Sequence, residues 1–184
     1  NPADYDYFIG SCHYVQGPKT GKYYEIDWRE SDLAACIADD FDGDGLAVVE
    51  AYFANVAKVA EKKPTILGHF DLIKKINGDG KFFDEQDPRY KAAADSALMV
   101  AARNRCVLEV NTSAVYRGFR KDFFPSDAIL KDWLALSGNV VITADAHDAK
   151  ALTFGYEEAA AKLRELGYSK VQVLGKNGFT ACPL

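Results

Sequence analysis

Short β-branched or aromatic runs alternate with longer stretches of helical spacing, most regularly in the second half of the chain. This alternation marks successive βα units and so an α/β fold. Strands are predicted near Asp6 to Ile9, Thr65 to Leu67, Cys106 to Val110, Val140 to Thr143 and Lys170 to Leu174. The apolar spacing between them predicts helices near Asp44 to Glu61, Pro88 to Asn104, Ser126 to Leu136 and Tyr156 to Leu166. Ser126, after Pro125, reads as a helix N-cap with Asp127 in the first turn, while Gly138 and Gly167 stand where helices should end on a left-handed residue. The segments Gln16 to Asp27 and Asn77 to Asp87, rich in Gly, Lys and Asp, read as long loops on one face. Five strands with crossover helices suit either an open doubly wound sheet or part of a (β/α) barrel, and periodicity alone does not decide between them. The chain has no repeat and no linker, so its 184 residues are expected to form a single domain over 1–184.

Composition narrows the partners. No apolar run approaches the ~20 residues of a membrane helix, and Asn1-Pro2-Ala3-Asp4 has neither the basic start nor the apolar stretch of a signal peptide. Neither a membrane nor export is expected, and the setting predicted is cytoplasmic. The net charge of -5, from 22 Lys+Arg against 27 Asp+Glu, argues against field-driven binding of nucleic acid or anionic lipid while leaving room for a local anion site. Cys12, Cys36, Cys106 and Cys182 are scattered without any CxxC spacing, so they are expected to be reduced and to behave as small buried hydrophobes.

The chain has three histidines, His13, His69 and His147, and each falls at a predicted strand end rather than inside a helix. Strand ends are where open and barrel α/β enzymes carry their catalytic groups. Two of the histidines have an aspartate at spacing two, in His69-Phe70-Asp71 and Asp145-Ala146-His147. In extended backbone residues i and i+2 project to one side, so each pair can aim two ligands at one point. Imidazole with carboxylate suits zinc, manganese or iron, which polarise phosphate oxygens and acidify a bound water. A single such pair is a weak signal, and a lone histidine is more often a hydrogen-bonded core or loop residue. Three together favour a metal site.

The stretches Tyr7-Phe-Ile-Gly-Ser-Cys-His13, Ile66-Leu-Gly-His-Phe-Asp-Leu-Ile-Lys74, Leu108-Glu-Val-Asn-Thr-Ser113, Phe124-Pro-Ser126 and Thr143-Ala-Asp-Ala-His147 resemble the polymerase and histidinol phosphatase (PHP) superfamily. Within it they resemble the histidinol-phosphate phosphatase branch. The resemblance implies an incomplete, distorted (β/α)7 TIM-like barrel with two or three divalent metals (Zn, Mn or Fe) at its C-terminal mouth. It implies hydrolysis of a small phosphate monoester, L-histidinol phosphate above all, in histidine biosynthesis. On that pattern His13, His69, Asp145 and His147 are the metal ligands and the catalytic centre. Asp71 either orients a ligand from the second shell or caps its loop, and Glu109, inside the strand, is expected to make structural hydrogen bonds.

Two departures stand out. The family begins with an HxH motif, then a further histidine and a metal-bridging glutamate, and nothing before Tyr5 supplies them. The chain therefore reads as the C-terminal two-thirds of the enzyme. After Asn-Thr-Ser it continues Ala114-Val-Tyr-Arg-Gly-Phe-Arg120, which makes Arg117 the expected phosphate ligand and Arg120 the reserve, since a guanidinium can hold two phosphate oxygens. The alternative is that both are solvated loop arginines. Asn111 and Ser113 are candidates for hydrogen bonds to the phosphate ester, or else simply satisfy their turn. Lys74 and Lys75 either add positive potential at the mouth or belong to a solvated face.

Two rival readings remain. In one, the chain is a non-catalytic metal-binding or interaction fragment that forms homo-oligomers through exposed barrel edges. In the other, it is a PHP-type phosphoesterase or nuclease acting on another substrate, with Tyr14, Phe82 and Phe83 as either base-stacking or packing residues.

Overall fold

The computed structural model describes residues 5–184; the four residues read for a leader, Asn1 to Asp4, lie outside the described residues. The centre is a four-stranded parallel sheet, ordered β1 (Ile9–Gly10), β4 (Ile66–Leu67), β5 (Val107–Asn111), β6 (Asn139–Thr143). Between its strands run the helices that parallel connections require: α2 (Gly45–Glu61), α3 (Pro88–Arg103) and α5 (Asp127–Ala135), with α6 (Tyr156–Leu166) after β6. The sheet is open among the described residues, not a closed ring.

The starts of the helices follow from sequence chemistry. Asp44 caps α2 by accepting from the backbone N–H of Leu46 at 3.0 Å and of Ala47 at 3.2 Å, and Asp87 caps α3 ahead of Pro88. Ser126 has the extended backbone of an N-cap, but its side chain makes no cap bond; its N–H instead donates to Asp71 Oδ2 at 3.0 Å.

Alternation along the strands divides the sheet's two faces. Leu67, Leu108, Val110 and Val140 pack under the helices in the main core. On the other face Ile66, Val107 and Val141 meet Leu174 and Phe179. Those two come from an antiparallel ribbon, β7 (Lys170–Gly175) with β8 (Gly178–Pro183), beside a cavity of about 940 Å³. The expected fifth strand of the main sheet, Lys170 to Leu174, is thus part of this ribbon. The reason is local: Asn177-Gly178, with Gly178 at φ 95°, turns the chain back on itself before it can cross over.

Two further expectations change. The segment Gln16 to Asp27 is largely a hairpin, β2 (Tyr14–Gln16) with β3 (Tyr23–Glu25), followed by α1 (Glu30–Asp40). The left-handed residue after α5 is Ser137 at φ 59°, not Gly138. Gly138 is required for a close approach instead, because a Cβ there would run into the Trp133 indole. Gly167, at φ 100°, ends α6 as expected.

Cys12, Cys36 and Cys106 are buried, and burial pushes the Cys12 thiol up to about 11 and that of Cys36 to about 12, so they pack as thiols. Cys182 is only half-buried. No helix is long and apolar enough to cross a membrane.

Asp40, at the end of α1, fastens the hairpin. Its carboxylate accepts from the backbone N–H of Lys19 at 2.8 Å and of Thr20 at 2.9 Å, the Thr20 hydroxyl at 2.7 Å and the Tyr24 hydroxyl at 2.7 Å. Burial alone would raise its pKa, but these donors, led by Tyr24, outweigh it and hold the carboxyl far below the usual carboxylate range. A depressed folded-state pKa contributes stability that is complete above the ordinary value of about 3.9 and lost as pH falls through the folded value. Asp40→Asn should therefore lower the urea midpoint at pH 7, and the gap from the parent should narrow on acidification below about pH 4.

Candidate active site

The C-terminal ends of the parallel strands and the loops that follow them enclose a cavity of about 430 Å³. His13 reaches it from the segment after β1, His69 from the segment after β4, and Asp145 and His147 from the segment after β6. Asn111, at the end of β5, and Ser113 and Arg117 on the short helix α4 (Ser113–Tyr116) and its C-cap complete that wall. All seven residues predicted for the site thus line one space.

The backbone at this end is bent to do so. His69 has φ 22° and Asp145 φ 42°, conformations that side chains with a Cβ rarely adopt and that persist only where surroundings impose them. For His69 the restraint is Glu109. Its buried carboxylate accepts from the His69 N–H at 2.7 Å, the Thr143 hydroxyl at 2.5 Å and Asn111 Nδ2 at 3.1 Å. This is the structural hydrogen-bonding role expected of it.

The imidazole rings of His13 and His69 stand edge to face with centroids 4.9 Å apart. His69 is buried, burial lowers its pKa, and its Nδ1 is buried without a hydrogen-bond partner. His13 Nδ1 stands 3.2 Å from Asp27 Oδ1, and that contact, against the opposing effect of burial, raises the imidazole's pKa. Burial alone would raise the Asp27 carboxyl too, but its His13 and Lys75 contacts outweigh burial and lower it. His147 Nε2 lies 3.6 Å from Asp145 Oδ1, so the Asp-x-His pair does turn both side chains to one side.

The other pair does not. The twist at His69 breaks the extended geometry, and Asp71 points into the protein, fully buried. There it accepts from Ser126 N–H and pairs with Lys74 at 3.2 Å. Asn111 is likewise committed: its amide donates to Glu109 Oε2 and to Asp145 Oδ2 at 3.3 Å, and its Oδ1 accepts from Ser113 N–H at 2.9 Å. It positions Asp145 and satisfies the turn, with no N–H left for a phosphate. Arg120, the reserve phosphate ligand, is held by Glu85 at 3.1 Å and Asp122 at 3.3 Å and does not line the cavity. Lys74 and Lys75 are not on a solvated face, since the first is fully buried and the second nearly so. Phe83 is buried and Phe82 packs against the core, as packing residues should, whereas Tyr14 is half exposed.

Four residues of the cavity escaped the sequence reading as site groups: Glu25, Asp27, Trp28 and Phe119. A signal existed for Asp27: buried Tyr24 belongs to β3 (Tyr23–Glu25), and Asp27 follows just past the end of that strand, as the histidines follow theirs.

A divalent ion suits this donor set in kind. Nitrogen and oxygen donors are mixed, one imidazole nitrogen is buried without a partner, and a second imidazole is oriented by a carboxylate. Among the described residues, no three His, Cys, Asp or Glu side chains are already drawn together around a single point.

No family profile and no curated protein matches this chain. Among solved structures, it is similar to a candidate histidinol phosphatase, hisK, from Listeria monocytogenes, with a TM-score of 0.70 and 21% identity over 82% of this chain. The two proteins share a fold. The likeness takes in 56% of the Listeria chain, so the present chain spans little more than half of its length.

Proposed function

We propose that this chain carries the catalytic face of a metal-dependent phosphomonoesterase of the PHP type, an incomplete (β/α)7 barrel whose substrate is L-histidinol phosphate. The observation that carries the reading is the convergence of three histidines, Asp145 and Arg117 on one cavity at the C-terminal end of a parallel sheet. The shared fold with a candidate histidinol phosphatase supports it.

His13, His69, Asp145 and His147 would hold zinc, manganese or iron. When bound, such an ion polarises phosphate oxygens and acidifies a water. Arg117 grips two phosphate oxygens and offsets the charge that builds on them. Phe119, whose ring lies 5.0 Å from the Arg117 guanidinium, restrains that side chain. Trp28 and Glu25, which also line the cavity, suit the flat and cationic body of an imidazole-bearing amine. The acidic chain and small cavity favour such an ester over a nucleic acid.

The test is release of phosphate from L-histidinol phosphate with added manganese or zinc, before and after chelation. Phosphate release should require the metal, and His147→Ala should lower turnover by about 100-fold, near 2.7 kcal/mol of transition-state stabilisation. Turnover that survives chelation, or is unchanged in the variant, overturns the proposal.

A second reading, a non-catalytic metal-binding or interaction fragment, is favoured by the open sheet, whose edge residue Ile9 is 46% exposed. Homo-oligomers in light scattering together with metal binding but no phosphate release would select it.

A further inference from the structure

Two charged groups lining the cavity, Asp27 and Lys75, join the two imidazole-bearing segments. Asp27 Oδ1 faces His13 Nδ1 at 3.2 Å, and Asp27 Oδ2 accepts from Lys75 Nζ at 3.1 Å. The Asp27 and Lys75 side chains are only 10% and 9% exposed. Burying such a pair is costly unless its geometry is fixed, and here it is fixed from both sides. Ile26, fully buried, donates its N–H to the His13 carbonyl at 3.0 Å, which fastens the end of β3 to the histidine's own backbone. Lys75 follows directly on the 3-10 turn Leu72–Lys74 that leads out of His69, and its Nζ lies 4.9 Å from the Phe119 ring centroid.

We infer that Asp27 is a positioning residue that fixes the tautomer and orientation of His13, and that Lys75 sets the spacing between His13 and His69 by anchoring Asp27. An ionised carboxylate only accepts, so Nδ1 of a neutral His13 must carry the proton and donate it to Asp27. Nε2 is then the nitrogen left with a free lone pair. A carboxylate behind an imidazole is the usual arrangement for orienting a ligand or a base. Lys75 occupies the second carboxylate oxygen, so Asp27 cannot swing away without leaving an ammonium group buried and unpaired. Because Lys75 belongs to the segment that carries His69, the chain Lys75–Asp27–His13 ties one imidazole to the other. The inference rests on the proposed function for its use, although its geometry is independent of that reading.

The test is long-range proton–nitrogen NMR on the histidine-labelled full chain, at alkaline pH where the imidazoles are neutral. His13 should show protonated Nδ1 in the parent. Asp27→Ala should lose that pattern and give mixed tautomers, and Lys75→Met, which keeps the carboxylate, should shift it partway. If Asp27→Ala does not fold, Lys75→Met carries the same readout. Titration with zinc alone against a competing chelator should show about 10- to 100-fold weaker binding in Asp27→Ala. An Nε2-protonated His13 in the parent, or one whose tautomer neither variant changes, overturns the inference. A parent that binds zinc with the expected His13 tautomer yet releases no phosphate overturns the proposed function and leaves this inference standing.

Discussion

Lys74→Met should lower the unfolding free energy by about 3–5 kcal/mol, the cost typical of removing one member of a buried charge pair. The Lys74 side chain is fully buried, with its ammonium 3.2 Å from Asp71 and 2.8 Å from Asp122, while the Phe124 ring lies beside it. Burial alone would lower its pKa, but the two carboxylates outweigh that and raise it. Methionine keeps the packing volume and removes the charge. Asp71 is then left fully buried with the Ser126 N–H as its donor and with an Oδ1 that already has no partner. Chemical denaturation measures the loss, and adding Asp71→Asn to Lys74→Met should recover part of it, because the stranded charge goes with it. A loss under about 1 kcal/mol in the single variant would mean that water reaches the carboxylate.

Glu109→Ala should cost a similar amount, about 3–5 kcal/mol, since it strands two buried N–H donors and the half-buried Thr143 hydroxyl at once. The His69 N–H, the Thr143 hydroxyl and one Asn111 N–H all lose their acceptor. The consequence reaches further than stability. With its N–H released, His69 loses one of the bonds that fix its φ of 22°, its carbonyl still accepting from the Leu72 N–H at 3.0 Å, and Asn111 loses one of the partners that hold its amide toward Asp145. Glu109→Gln keeps one acceptor oxygen and should lose only about 1–2 kcal/mol. Equal losses in the two variants, by urea denaturation, would contradict this role.

Much of the fold was legible because it follows local rules. The helix Tyr156–Leu166 is found where apolar spacing and Gly167 put it, and β4, β5 and β6 lie within a residue or so of their β-branched runs. The hairpin β2–β3 was not, because its Gly and Lys turn residues mask a pattern whose buried positions, Val15 and Tyr24, stand on opposite sides of the turn. The destination of β7 was hidden for another reason: a strand's residues say that it is extended, while its partner is chosen by the turn that follows. At the site, strand-end position located the histidines. It could not say which way His69 and Asp71 would part, since that depends on one unusual φ imposed by Glu109, forty residues away. It put Arg117 ahead of Arg120, but the physical difference between them, Glu85 and Asp122 around the second, could not be read from the residues.

The parallel pairing of β5 with β6 matches Glu109 to Val141 and Asn111 to Thr143. These pairings bring the Glu109 carboxylate to the Thr143 hydroxyl and the Asn111 amide to Asp145. Side chains alternate across a sheet, so slipping β6 by one residue would turn its side chains to the opposite face. Thr143 would leave Glu109, and the Asp145 carboxylate, two residues on, would lose the Asn111 amide that it accepts from. The accuracy of the candidate site is therefore inherited from strand alignment: one misregistered ladder would erase the pocket while leaving every helix intact.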